Sequence, residues 1–191
     1  MLWSVAGSSC SGKTTAARAC GTIPGVVVHD FDELGVPDGA DLKWRQRGLE
    51  TWLRRVLAYQ AGDIDVVLLG QSPLGEVLAA PSAPLLDGLA TCVLDVADDE
   101  RVRRLERRDP GKWSPAQHEA FVKWGQWHRG HAADPGHHPE ILTVGGWAEM
   151  AWDRWPSHAA EWPVPVFDTT GRTVDETSAA IRDWVTGRDR P

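Results

Sequence analysis

Eight residues near the start of the chain, Gly7, Ser8, Ser9, Cys10, Ser11, Gly12, Lys13 and Thr14, follow the pattern G-x-x-x-x-G-K-[ST]. Before them, Leu2, Trp3, Ser4, Val5 and Ala6 form a short apolar run that reads as a buried strand. After them, residues 15–20 are rich in alanine and stop at Gly21, which reads as a helix with its terminator. Strand, glycine loop and helix are the setting a phosphate-binding loop needs. The glycines let the backbone curl until successive N–H groups face one anion. The helix N-terminus adds its partial positive charge. The expected nucleotide contacts are the loop residues and Thr15, with Lys13 reaching the β- and γ-phosphates and the Thr14 hydroxyl a Mg²⁺ ion.

The rest of the chain repeats this alternation. Residues 25–29, 64–69, 91–96 and 165–168 are short apolar runs, and patterned helical stretches separate them. Residues 41–61 place Trp44, Leu49, Trp52, Leu53, Val56 and Leu57 at three- and four-residue steps. Asp98 and Asp99 head an arginine-rich helix running to about Arg108, and residues 174–185 form a terminal helix. Continuously apolar strands separated by helices mean a parallel sheet covered on both faces. The expected fold is therefore a doubly wound α/β sheet of about five strands in one domain over 1–191, with ligands at the carboxyl ends of the strands. Residues 109–139 contain no apolar strand and carry Trp113, Trp124 and Trp127 between Pro110-Gly111 and Pro135-Gly136. They read as an inserted, partly helical lid. Residues 147–155 read as one more helix.

Charge and cysteine count limit the partners. The net charge of −7 disfavours a nucleic-acid partner, and no apolar run reaches membrane-spanning length. Three scattered cysteines and a strand starting at Leu2 suggest reduced thiols and a cytoplasmic location. Cys10 reads as a small loop residue. His128, His131, His137 and His138 lack a matching cysteine set and are not read as a zinc site.

Phosphoryl transfer also needs a metal ligand and a group to orient the acceptor. Asp30 and Asp32 follow the second strand at alternate positions, which on an extended backbone points both carboxylates one way. Asp30 is the candidate for holding Mg²⁺, directly or through water, and Asp32 for binding the acceptor hydroxyl and orienting or deprotonating it. Trp44 and Trp52 are the candidates to face a planar substrate, and Gln71, just past the third strand, to meet a polar one.

In this order the features resemble shikimate kinase and its relatives among the small P-loop kinases. The glycine loop, the D-x-D of Asp30-Phe31-Asp32, the R-x-x-E of Arg47-Gly48-Leu49-Glu50, and the ending Phe167-Asp168-Thr169-Thr170-Gly171 carry the resemblance. It implies ATP and Mg²⁺ as cofactors and a hydroxyl compound as acceptor. It implies Arg47 as a substrate-binding arginine, although pairing with Glu50 along the helix is the alternative. It implies phosphate or adenine contacts for Arg104 and Arg108, a lid arginine in Arg129, and an adenine wall at Thr170 and Gly171. Gly70-Gln71-Ser72-Pro73 stands where shikimate kinases have a glycine run, so shikimate is not the expected acceptor. Eleven tryptophans make a nucleoside or an aromatic natural product plausible within the class. The rival readings are a nucleoside-monophosphate kinase and a regulatory nucleotide-binding ATPase switch.

Overall fold

The computed structural model describes residues 1–157 and 161–187. Five strands, β1 (Leu2–Ala6), β2 (Val26–Asp30), β3 (Asp65–Leu69), β4 (Leu89–Asp95) and β5 (Val166–Asp168), form one sheet in the order β2-β3-β1-β4-β5. All pairings are parallel. β1 lies at the centre and every residue in it is buried, as its unbroken apolar run requires.

The helices are α1 (Lys13–Ala17), α2 (Leu42–Gln60), α3 (Leu74–Ala79), α4 (Asp98–Arg108), α5 (Pro115–Ala133), α6 (Glu140–Thr143), α7 (Arg154–Ser157) and α8 (Val174–Val185). α1 is shorter than its sequence implies, because a 3₁₀ turn over Arg18–Thr22 replaces its second half. α2 starts where expected, with the Asp41 carboxylate accepting from the Trp44 N–H at 2.8 Å. α5 and α8 start on capping boxes, Ser114 with Gln117 and Thr173 with Glu176. No helix among the described residues is long and apolar enough to cross a membrane.

The two faces of the sheet are filled differently. Val5, Ala16, Leu94, Ile181 and Trp184 form the core that α1 and α8 cover. Leu49, Trp52, Leu53 and Val56 of α2 join Leu2, Val66 and Leu68 on the other face. A third cluster joins Leu74, Val93, Trp127, Leu142 and Trp155.

That third cluster narrows the expected lid. Gly125, Trp127, His128, His131 and Ala132 of α5 are buried. The Trp127 ring stacks on Trp124 at 4.8 Å and on His131 at 4.9 Å. The second half of α5 is therefore part of the body, while 109–124 is exposed along most of its length, as a cover needs. The helix expected over 147–155 is confined to its last two residues, where α7 begins at Arg154. Before it, Met150 dips into the core, and the Ala151 N–H donates to the Ala79 carbonyl at 2.7 Å, which ties the chain down in a turn.

Candidate active site

The glycine loop joins β1 to α1 at the carboxyl edge of the sheet. Gly7 has φ +144° and packs so closely that a Cβ there would lie 2.3 Å from the Leu94 carbonyl oxygen. Gly12 has φ +94°. Both positions need glycine.

Three of the loop's carbonyls, those of Ser9, Cys10 and Ser11, are satisfied from outside. The buried Arg101 donates to the Ser9 carbonyl at 2.7 Å and to Asp95 at 2.5 Å. Arg104 reaches the Cys10 carbonyl at 3.4 Å and donates to the Thr169 hydroxyl at 3.0 Å. The Thr169 hydroxyl in turn lies 3.1 Å from the Ser11 carbonyl and 3.0 Å from that of Asp95. On the other flank Ser8 donates to the Phe121 carbonyl at 2.8 Å. An anion-binding loop needs its carbonyls engaged in this way, so that its N–H groups are left for the ligand.

Lys13 folds over the loop, its Nζ donating to Gly7 O at 2.7 Å and Ser8 O at 3.1 Å. Burial lowers its pKa to about 8, against the opposing pull of Asp30. The Thr14 hydroxyl donates to Asp30 at 3.0 Å. The second oxygen of Asp30 accepts from the Asp32 N–H at 3.1 Å, and Glu33 accepts from the Asp30 N–H at 2.9 Å. This capping box starts a 3₁₀ turn at Phe31, so the extended D-x-D geometry does not hold. Both carboxylates nevertheless line the same cavity. Burial first, and Asp30 second, raise the Asp32 pKa, while Lys13 opposes the rise.

One cavity of about 1080 Å³ runs from the loop across the sheet edge. Ser9, Cys10, Gly12, Lys13, Thr14 and Thr15 line its floor, with Arg104, Arg107, Arg108 and Arg172 on the β4–β5 side. Asp30, Asp32, Val36, Leu42, Trp44, Arg45, Gln71, Trp124 and Ile141 line the β2–β3 side. Arg108 also pairs with Asp109 at 2.8 Å.

Several expected residues lie elsewhere. Arg47 is exposed and faces a separate groove with Arg54, Arg55 and Trp147. It does not pair with Glu50 either, whose carboxylate takes Arg54 at 2.8 Å and Ser82 at 2.6 Å. Trp52 is buried, donating its indole N–H to the Phe31 carbonyl at 3.2 Å, and meets no cavity. Arg129 is held at 2.6 Å by Asp95 and at 3.0 Å by Asp98. Thr170 accepts from the Ala97 N–H and bonds Asp168, so it and Gly171 shape the last loop while Thr169, Arg172 and Thr173 line the cavity. Among the described residues no three His, Cys, Asp or Glu side chains form a metal-holding group; His128 and His131 are stacked in the tryptophan cluster.

Sequence reasoning missed Arg45, Glu76, Arg101 and Thr169. Arg45 spans Glu76 with Nε and Nη2 at 3.0 and 2.9 Å, while its guanidinium lies 5.0 Å over the Trp124 ring. The R-x-x-E match drew the eye to Arg47, two residues on. Thr169 was in view beside Thr170, but nothing in sequence says which of two threonines turns inward.

No protein-family model matches the chain, and no curated protein matches it in sequence. Solved structures do match in shape. A sugar kinase from Janibacter sp. HTCC2649 superposes with a TM-score of 0.64 at 14% identity, over 97% of this chain and 94% of that one. The fold is that of the P-loop kinases. A putative kinase from Chloroflexus aurantiacus gives 0.57 at 18% identity, over 97% and 96%. A deoxyadenosine kinase from M. mycoides, another P-loop kinase, gives 0.50 at 11% identity, over 98% and 100%.

Proposed function

We propose that the protein is an ATP- and Mg²⁺-dependent kinase that phosphorylates a hydroxyl group of a small molecule, with a nucleoside or an aromatic natural product as the acceptor type. The observation that carries this reading is the single cavity that joins the glycine loop, Lys13 and the Thr14–Asp30 pair to Asp32 and an aromatic wall. The residues fit the absent groups. The loop presents a nest of N–H donors, and Thr14 and Asp30 put two hard oxygen ligands side by side, as Mg²⁺ prefers. When bound, MgATP supplies the phosphoryl group and neutralises part of its charge.

The chain's own residues do the rest. Lys13 leaves the Gly7 and Ser8 carbonyls to follow the phosphates and holds a positive charge on the transferring group. Thr14 and Asp30 hold the metal. Asp32, one residue past the capping turn, accepts the acceptor's hydroxyl hydrogen and aims its oxygen at the phosphoryl. Arg104, Arg107 and Arg108 face the polyphosphate from α4. Residues 109–124 are positioned to exclude water. All three cysteines are free thiols, in keeping with a cytoplasmic location as part of the proposal.

The test is ADP release across a panel of hydroxyl compounds, with and without each acceptor. Turnover that depends on acceptor is expected, with Lys13→Ala lowering it by about 10³-fold or more in a folded protein. Acceptor-independent ATP hydrolysis would point to a switch, and near-normal turnover by Lys13→Ala would sink the assignment.

A further inference from the structure

The strand order sorts charge within the cavity. β1 and Lys13 lie in the middle, and the arginines Arg104, Arg107, Arg108 and Arg172 all come from the β4–β5 side, where the one carboxylate, Glu100, is paired with Arg104 at 3.0 Å. The β2–β3 side contributes Asp30, Asp32 and Asp41, and one cation, Arg45. That cation's charge is already offset. Its Nε and Nη2 grip Glu76, whose side chain is 0% exposed, and its face is covered by Trp124. Gln46 fixes the same carboxylate at 3.2 Å, so Glu76 has no slack to release its partner. Moving Arg45 onto a ligand would strand a buried carboxylate, which is among the costliest events inside a protein.

Resting on the kinase reading above, we propose that the acceptor bears no anionic group, and that Glu76 enforces this by holding Arg45 in a closed ion pair. The acceptor is a neutral or amine-bearing hydroxyl compound with an apolar or flat face. Trp44, braced edge-on by Phe31 at 5.6 Å, receives that face. A phosphorylated or carboxylated acceptor meets Asp32 and Asp41, and Lys13, the cation that offsets Asp32, is taken by the nucleotide's phosphates on the kinase reading. Such like-charge contact works as a filter as well as a mismatch. Glu76 is here a positioning residue, since it acts through Arg45.

The experiment loads the full chain with magnesium and the non-hydrolysable analogue AMP-PNP, which occupies the arginine-lined half, and titrates benzoate as a flat carboxylate probe by calorimetry. The wild type is expected to bind no benzoate at millimolar concentration. Glu76→Gln, which removes the ion pair and keeps the shape, is expected to bind it at least about tenfold more tightly than wild type. Millimolar benzoate binding by the loaded wild type overturns the inference, as does a Glu76→Gln protein that folds but binds no better. Should Glu76→Gln not fold, the wild-type titration decides alone. Failure of AMP-PNP to bind is a different result: it strikes the kinase reading, and this inference falls with it.

Discussion

The pKa of Lys13 turns the phosphate site into a measurable pH sensor. In the free protein burial holds that pKa at about 8. Bound phosphates favour the charged form, so the pKa rises on binding and the complex takes up a proton wherever the free lysine has lost one. The sign follows. Below pH 8 Lys13 is mostly charged before and after binding, and affinity is flat. Above pH 8 binding must first recharge the lysine, and affinity falls. At pH 7.5 about three-quarters of the free protein carries the charge and at pH 9 about one-tenth, so affinity for AMP-PNP should be about eightfold weaker at pH 9. The window is clean on both sides. Phosphate oxygens are almost fully ionised above about pH 7.5. Burial raises the pKa of the Cys10 thiol, the loop's other titrating group, and so moves its ionisation toward higher pH. The assay is calorimetry at fixed magnesium from pH 7.5 to 9, in two buffers of different ionisation enthalpy to count protons. Lys13→Arg keeps a permanent charge and should bind with no pH dependence. A wild-type affinity flat to pH 9, or the same decline in Lys13→Arg, refutes the reasoning.

Three further outcomes follow from the geometry. Asp32→Asn should lower kcat by about 10²–10⁴-fold with far less effect on ATP affinity; collapse of ATP affinity with residual turnover intact would assign Asp32 to the metal and exchange its role with Asp30. Arg101→Met should cost about 3 kcal/mol in urea denaturation, because it leaves Asp95 buried with only Arg129 beside it; a loss under about 1 kcal/mol, or unchanged nucleotide affinity, would show that the arginine does not hold the loop. Nucleotide and acceptor together should slow hydrogen exchange over 109–124 but leave the buried half of α5 unchanged, and Trp113→Phe should remove part of the ligand-induced fluorescence signal, the rest coming from Trp44 in the cavity wall. Uniform exchange across 109–139, with or without ligand, would make the whole segment static body.

Much of this architecture was legible because each strand is a local apolar run and each turn has its own punctuation. The five strands, the 19-residue α2 and the capped α8 come from short-range patterns that neighbours do not override. Helix phase was harder to read. α2 enters at the cavity mouth and runs away from it, so only its first turn faces the ligand. At 3.6 residues per turn, Arg47 lies about 200° round from Arg45, on the opposite face, and the R-x-x-E spacing cannot reveal that. Trp52 is one of α2's core-facing residues for the same reason. In 109–139 the absence of apolar strands and the flanking Pro-Gly pairs do not reveal how Trp124, Trp127, His128 and His131 pack. Stacked on one another under α3 and β4, they behave as core. The 3₁₀ turn at Phe31 depends on Asp30 and Glu33 capping each other, a signal present in the sequence but outranked by the alternation of the two aspartates.

The outside support of the glycine loop has a consequence for how the protein is made. Strand, loop and helix lie within the first 17 residues, yet Thr169, which props the Ser11 carbonyl, is 158 positions further on. Arg101 and Arg104 arrive on the way, but the two of them leave one loop carbonyl and the end of β4 unsupported until β5 docks beside it. During synthesis the phosphate site is therefore among the first parts translated and among the last completed. A ribosome-bound chain cut short before Thr169 should carry the whole motif and still fail to retain a nucleotide. On the proposed kinase reading, capture of ATP would signal that the last strand has been delivered.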